Sequence, residues 1–214
     1  MYDSHKNLVQ DMNSDPRIPC DQADSPAQPP IEKAVLRARL LSLRRGLEPA
    51  QREHWDNAIS AHVLAWQAAV QVTSLGVYWP LQGEPDLRAT YAALAAEGVA
   101  LALPVVIEKA APLAFTEWIP GEPMVRDRMG VAVPAQLRPT PAPQGLLIPC
   151  LGFNRDRLRL GYGGGYYDRT LEHLPRPLTA GIAYACLGAE FDGNEYDIAL
   201  DAIITEQGIS GTGR

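Results

Sequence analysis

The chain has 214 residues, room for one compact domain with appendages and too few for two full domains. Apolar residues make up 46% and charged residues 21%, which excludes global disorder, a collagen-like repeat, a coiled coil and a disulfide-dense miniprotein. With 19 basic against 25 acidic residues the net charge is -6, which argues against a protein that coats nucleic acid or an anionic membrane, so any polyanion must be held locally.

Residues 1–30 hold five prolines, five aspartates and only two basic residues, with apolar positions too sparse for a period, and read as a disordered tail. The polar start lacks the apolar stretch of a signal peptide, and nowhere do 18 apolar residues run together, so the expected location is the cytoplasm. Cys20, Cys150 and Cys186 are too scattered for a disulfide framework or a metal pair, and the strand-like surroundings of Cys150 and Cys186 predict burial.

From Ile31 the pattern turns helical. Ile31, Val35, Leu36, Leu40, Leu43 and Leu47 follow one stripe, while Lys33, Arg37 and Arg44 share another face. Pro49 suits a first helical turn, and Trp55, Ile59, Val63, Trp66 and Val70 make a second stripe. Leu75 to Trp79 reads as a buried strand, Asp86 as a cap for a helix ending near Glu97, and Val99 to Val106 as another strand. That order is a βαβ unit, for which a parallel sheet is the default. Prolines crowd the stretch from Pro104 to Pro149, where only Leu113 to Trp118 alternates enough to suggest an exposed strand within a loop-rich hairpin insertion. Leu146 to Phe153, Leu178 to Tyr184 and Ala202 to Thr205 read as further strands, with a helix over Tyr166 to Leu174. The fold class is therefore α/β, a mostly parallel sheet flanked by helices, spanning 31–207, with a flexible C-terminal end at 208–214.

The densest feature is the run Arg157-Leu158-Arg159-Leu160-Gly161-Tyr162-Gly163-Gly164-Gly165-Tyr166-Tyr167-Asp168-Arg169. Four glycines in five positions clear side chains from backbone amides, and a following helix adds further unpaired N–H groups, so phosphate is the natural guest. The run is no Walker A loop, because no Lys-Ser or Lys-Thr follows, and Tyr166 breaks the dinucleotide glycine spacing, which speaks against a dinucleotide-dependent oxidoreductase. A plain strand-to-helix turn is the competing reading. Asp168 is either a helix-surface acid or a ligand for the Mg²⁺ that accompanies nucleotide phosphates. No Ser-His-Asp or Cys-His arrangement is visible.

This run resembles the signature of the 5-formyltetrahydrofolate cyclo-ligase family, and the resemblance extends from Lys33 to Glu206 through Lys33-Ala34-Val35-Leu36-Arg37, Tyr78 to Glu84, Leu103-Pro104-Val105, Pro149 to Phe153, Asp197 and Asp201 to Glu206. It implies an open, Rossmann-like, mostly parallel α/β sheet and an ATP- and Mg²⁺-dependent enzyme, active as a monomer, that converts 5-formyltetrahydrofolate to 5,10-methenyltetrahydrofolate with release of ADP and phosphate. By the same resemblance Lys33, Arg37 and the loop Arg159, Leu160, Gly161, Tyr162, Gly163, Gly164, Gly165, Tyr166 and Tyr167 bind ATP. Trp79, Glu84 and Tyr162 to Tyr166 contact folate, Asp168 and Asp197 hold the metal, and Arg159 and Tyr166 are the candidate catalytic residues. The chain departs from the family pattern at Asn154, where aspartate is usual, and at Arg157, which replaces a glycine. Arginine reaches positive φ less cheaply than glycine, so a reshaped approach to the loop is expected. These departures keep open a second reading, a divergent member of the fold that binds folate or nucleotide without closing the ring.

Overall fold

The computed structural model describes residues 32–173 and 175–211; the tail expected over 1–30, Cys20 and the last residues 212–214 lie outside the described residues. In chain order the elements are α1 (Lys33–Arg45), α2 (Pro49–Val70), β1 (Ser74–Gly76), α3 (Arg88–Ala96), β2 (Ala100–Val105), β3 (Ala114–Glu117), β4 (Met124–Arg126), β5 (Ala132–Pro134), β6 (Pro139–Thr140), β7 (Gly145–Pro149), β8 (Gly152–Phe153), β9 (Arg159–Leu160), α4 (Tyr166–Leu171), β10 (Leu178–Ile182), β11 (Ala202–Thr205) and β12 (Gly208–Gly211), with a 3-10 turn at Ala185–Leu187.

Eight strands form one sheet in the order β12-β11-β10-β7-β1-β2-β3-β6. The five from β11 to β2 run parallel, and antiparallel strands close both edges. β4 pairs with β5, and β8 with β9, as separate hairpins. The chain leaves β1 through α3 to β2 on one side, then returns on the other side of β1 as β7. Loops leaving the C-terminal ends of β1 and β7 therefore diverge, and a crevice opens at this switch point.

Side chains two apart along the central strands sort onto two faces. Leu101, Leu103, Leu147, Ile182 and Ile204 meet α1, α2 and α3 through Leu36, Leu40, Ile59, Val63, Trp66 and Tyr91. Ala102, Leu146, Ile148 and Ile203 face the opposite way, toward Phe115 and Leu171. Each fully buried aliphatic side chain contributes about 1.5–3 kcal/mol, so these two faces dominate the stability of the fold. Gly181 of β10 packs where a Cβ would come within 2.7 Å of Ile203 and Leu200 and 2.9 Å of the Cys150 sulfur. Gly181→Ala is expected to destabilise the protein by about 1–3 kcal/mol through overpacking, read as a lower urea midpoint with unchanged slope.

Four local expectations are corrected. The apolar stripe of α1 is narrower than its spacing predicts: Val35 and Leu43 are exposed, and the third buried residue beside Leu36 and Leu40 is Arg44. The strand near Leu113 to Trp118 is not exposed, because β3 pairs with β2 and buries Phe115 and Thr116. The end expected to be flexible forms β12, which pairs with β11 from Thr205↔Gly208 to Ala202↔Gly211 after a two-residue turn. Cys186 lies in the exposed 3-10 turn rather than in a strand, whereas Cys150 is buried and its thiol is pushed up to about 12 by burial.

Candidate active site

The β8–β9 hairpin delivers the glycine run to the crevice. At its turn the Asn154 side-chain oxygen accepts from the N–H groups of Asp156 (3.1 Å) and Leu158 (2.9 Å), an Asx turn that aspartate could also make. Arg157 takes a glycine-like conformation within this turn. It adopts φ +60° itself, the conformation that glycine takes freely, at a cost of about 1–2 kcal/mol. Its Nε donates to the Leu200 carbonyl (2.9 Å) and its carbonyl accepts from Leu200 N–H (3.1 Å), which offsets the strain.

Beyond β9 the loop 161–165 is fastened from both sides. Arg37 Nε donates to the Gly161 carbonyl at 2.9 Å. Arg169, one turn into α4, donates to the Gly164 carbonyl and lays its guanidinium 5.5 Å from the Tyr166 ring centre. Gly163 (φ +94°) and Gly165 (φ +63°) occupy backbone conformations that disfavour any side chain, and a Cβ on Gly165 would meet Arg169 at 2.9 Å. The helix that follows, expected to reach Leu174, has only six residues, Tyr166–Leu171. The cationic side chains and loop amides therefore matter more here than a helix dipole.

Loop, α1 and the segment after β1 enclose a cleft of about 920 Å³, and every residue put forward from the sequence lines it. Two of the proposed nucleotide contacts pair directly with the two proposed metal ligands. Lys33 Nζ lies 2.7 Å from Asp197 Oδ2, which also accepts from Asn194 N–H at 2.9 Å. Arg159 Nη2 lies 2.7 Å from Asp168 Oδ1, and its guanidinium sits 5.7 Å from the Tyr167 ring centre. The Arg159 side chain is only 5% exposed, so Asp168 is the counter-charge that offsets the burial of its guanidinium.

The other wall is built on Trp79 and Glu84. Trp79 is held edge-on by Trp118 (6.0 Å between centres, 80°) and capped by the Arg88 guanidinium at 5.2 Å. Glu84 is almost fully buried; its Oε1 accepts from the Tyr162 hydroxyl at 2.7 Å and its Oε2 from Leu81 N–H at 2.9 Å. Burial raises the Glu84 carboxyl above the ordinary carboxylate range, against the pull of the Tyr162 hydrogen bond, the Leu81 amide and the Arg44 charge. Burial, with the nearby Glu84 charge, pushes the Tyr162 phenol well up, so it stays protonated and acts as a donor.

Arg44 is the residue whose part in this site escapes the sequence. It shares a helical face with Lys33 and Arg37, which was the available signal, yet nothing local distinguishes it from a solvated arginine. In the fold its side chain is 0% exposed, donates through Nη2 to the Tyr162 hydroxyl and through Nε to the Gln82 carbonyl (3.2 Å), and stands 4.0 Å from Glu84 Oε1.

Among the described residues there is no cluster of three or more His, Cys, Asp or Glu side chains able to cage a metal. Asp168 and Asp197 are partly exposed carboxylates on the cleft wall. They fit Mg²⁺ in its usual nucleotide mode, bound by one or two carboxylates together with phosphate oxygens and water.

An open α/β sheet whose switch point carries a glycine-rich loop, three basic side chains and a buried carboxylate defines a ligand-binding enzyme class rather than a structural module. A family model for 5-formyltetrahydrofolate cyclo-ligase matches residues 30–206. The chain belongs to the 5-formyltetrahydrofolate cyclo-ligase family, a family of ATP-dependent ligases. It is 28% identical over 180 residues to a 5-formyltetrahydrofolate cyclo-ligase of Mycoplasma pneumoniae, covering 83% of this chain and 100% of that one. A solved 5,10-methenyltetrahydrofolate synthetase from Mycoplasma pneumoniae superposes with a TM-score of 0.65 at 28% identity, over 82% of this chain and 99% of that one. A second, from Aquifex aeolicus, shares the fold with a TM-score of 0.73 at 23% identity, over 86% and 95%. Among the described residues no helix is long and apolar enough to cross a membrane.

Proposed function

We propose that the protein converts 5-formyltetrahydrofolate to 5,10-methenyltetrahydrofolate at the expense of ATP, releasing ADP and phosphate. One observation carries this reading beyond family membership: the Tyr162 hydroxyl, inside the glycine loop, donates to Glu84 at 2.7 Å. The loop suited to phosphate and the carboxylate suited to the donor edge of a pterin thus share a hydrogen bond, which is what direct transfer between two substrates requires.

In the proposed sequence the formyl oxygen attacks the γ-phosphorus, the bond to ADP breaks, and an imidate-like phosphate results. Nitrogen 10 of the folate then attacks the activated carbon and gives up its proton to solvent, and the C–O bond breaks so that phosphate leaves as the ring closes. The reaction asks the protein for alignment and positive charge rather than for a nucleophile. Lys33, Arg37 and Arg159 supply that charge, the loop amides orient the phosphates, and Tyr166 and Tyr167 close the floor. Glu84 and Trp79 hold the pterin, the carboxylate through its two remaining lone-pair sites and the indole through its face. Asp168 and Asp197 would hold Mg²⁺ together with the nucleotide, where the ion would supply neutralisation of phosphate charge.

The test is the appearance of methenyltetrahydrofolate absorbance when the full chain meets 5-formyltetrahydrofolate and Mg-ATP, with one ADP released per ring closed. Folded protein that gives neither product refutes the reading.

A further inference from the structure

We propose that Arg44 is a positioning residue that fixes the proton of Tyr162 on Glu84 and so couples the folate wall of the cleft to the nucleotide loop. The proposal rests on the cyclo-ligase reading above and names a residue through which its two half-sites act together.

The geometry is closed by the chemistry of the groups. A guanidinium only donates, so the Nη2 bond to the Tyr162 oxygen leaves that phenol as acceptor to Arg44. Its own proton is then free for Glu84 Oε1, 2.7 Å away. Glu84 Oε2 already accepts the Leu81 amide, so both oxygens act as acceptors and the carboxylate has no neighbour that favours its protonation. Arg44 Nε meanwhile holds the Gln82 carbonyl, two residues before Glu84, where Gln82 itself sits at φ +51°. One side chain on α1 therefore grips the glycine loop through Tyr162 and the folate loop through Gln82. Arg37, on the same helix two turns earlier, grips the glycine loop at Gly161.

Plain packing does not account for Arg44. Its side chain is wholly buried, and Nη1 has no hydrogen-bond partner while standing 4.0 Å from Glu84 Oε1. Burying a guanidinium with one edge unsatisfied is costly, and an apolar side chain of similar length would fill the space with less penalty. The groups around Glu84 are Arg44 from α1, Tyr162 from the glycine loop, Tyr78 and the Leu81 amide from its own loop, Tyr91 from α3, Tyr167 from α4 and Cys150 after β7, with Arg52, Glu53 and Asp56 of α2 and Asp86 and Arg88 lining a second cleft that Glu84 also borders. Arg44 is the cation that stands against the carboxylate itself, 4.0 Å from Oε1. Without it, burial drives Glu84 toward its neutral form, which presents a donor where the pterin edge needs an acceptor.

The experiment compares the full-length protein with Arg44→Met, Arg44→Lys, Tyr162→Phe and the double variant Arg44→Met/Tyr162→Phe, measuring KM for each substrate and the pH profile of kcat/KM for 5-formyltetrahydrofolate. Arg44→Met is expected to raise KM for the folate by at least about tenfold, with a smaller change for ATP, as for a lost charge-assisted hydrogen bond. It should also move the acid-side loss of kcat/KM to higher pH, because the anion that Arg44 favours disappears at a higher pH without it. Arg44→Lys should restore part of both effects, and the double variant should be no worse than the more impaired single one. Wild-type KM and an unmoved acid limb in Arg44→Met, or additive effects in the double variant, overturn the proposal. If Arg44→Met does not fold, Tyr162→Phe must move the acid limb the same way, and an unmoved limb is equally fatal. Calorimetry with 5-formyltetrahydrofolate separates this proposal from the reaction itself. A wild type that binds folate without turnover removes the proposed reaction, and the Arg44 effect is then read on affinity; a wild type that binds none removes both.

Discussion

On the proposed reaction, Asp168→Asn is expected to lower kcat by about two to three orders of magnitude, the usual scale for removing one preorganised electrostatic element from an active site. The substitution keeps the volume, removes the charge and replaces one acceptor oxygen by a donor, with two separable consequences. The first is chemical: a neutral amide is a poor oxygen ligand for Mg²⁺, so the concentration of Mg²⁺ giving half-maximal rate should rise. The second is structural. Arg159 is 5% exposed and bonded to Asp168 Oδ1 at 2.7 Å, so it keeps a neutral acceptor but loses its counter-charge, at a cost of about 1–3 kcal/mol in folding stability. A Mg²⁺ titration of the rate, beside a thermal melt of the same sample, distinguishes the two. Asp197→Asn should cost less stability, because its partner Lys33 is 30% exposed and can turn to water. Unchanged turnover and Mg²⁺ requirement in Asp168→Asn would remove Asp168 from the site.

The central strands could be read from the sequence because burial on both faces writes itself as short apolar runs bounded by glycine and proline, as in Gly145–Pro149 and Leu178–Ile182. Helix α2 was equally plain, since Ile59, Val63 and Trp66 keep one spacing against the sheet. β12 was hidden for the opposite reason: two of its four residues are glycine, and it is held by backbone pairing with β11 rather than by its side chains. The residues of the candidate site were named through a family resemblance carried by one motif and its distant companions, and all of them line one cleft. Their pairings were not. Nothing local in Lys33 points to Asp197, or in Arg44 to Tyr162, because those partners lie 164 and 118 residues away and meet only once the sheet has formed.

That dependence on distant partners makes Glu84→Gln the sharpest test of the folate wall. Glutamine matches glutamate in shape, but it replaces one acceptor oxygen by a donor. If its carbonyl oxygen faces Tyr162, its NH₂ group confronts the Leu81 amide. If it flips, the NH₂ group meets a Tyr162 oxygen that already accepts from Arg44, and the phenol proton loses its acceptor. Either orientation strands a buried donor and leaves Arg44 without its counter-charge, so KM for 5-formyltetrahydrofolate should rise by about a hundredfold while KM for ATP changes little. The pH dependence carries opposite signs for binding and for folding. Burial raises the Glu84 carboxyl above its ordinary value of 4.5. As pH falls through the raised value, the native state takes up a proton before the unfolded chain does, so this residue's contribution to folding stability grows. Folate affinity falls over the same window, because the acceptor is lost. Wild-type protein should therefore show a melting temperature that gains from Glu84, and a folate affinity that declines, on acidification between those two values. Glu84→Gln should show neither component, and a variant that keeps the wild-type affinity profile would place the titrating group elsewhere.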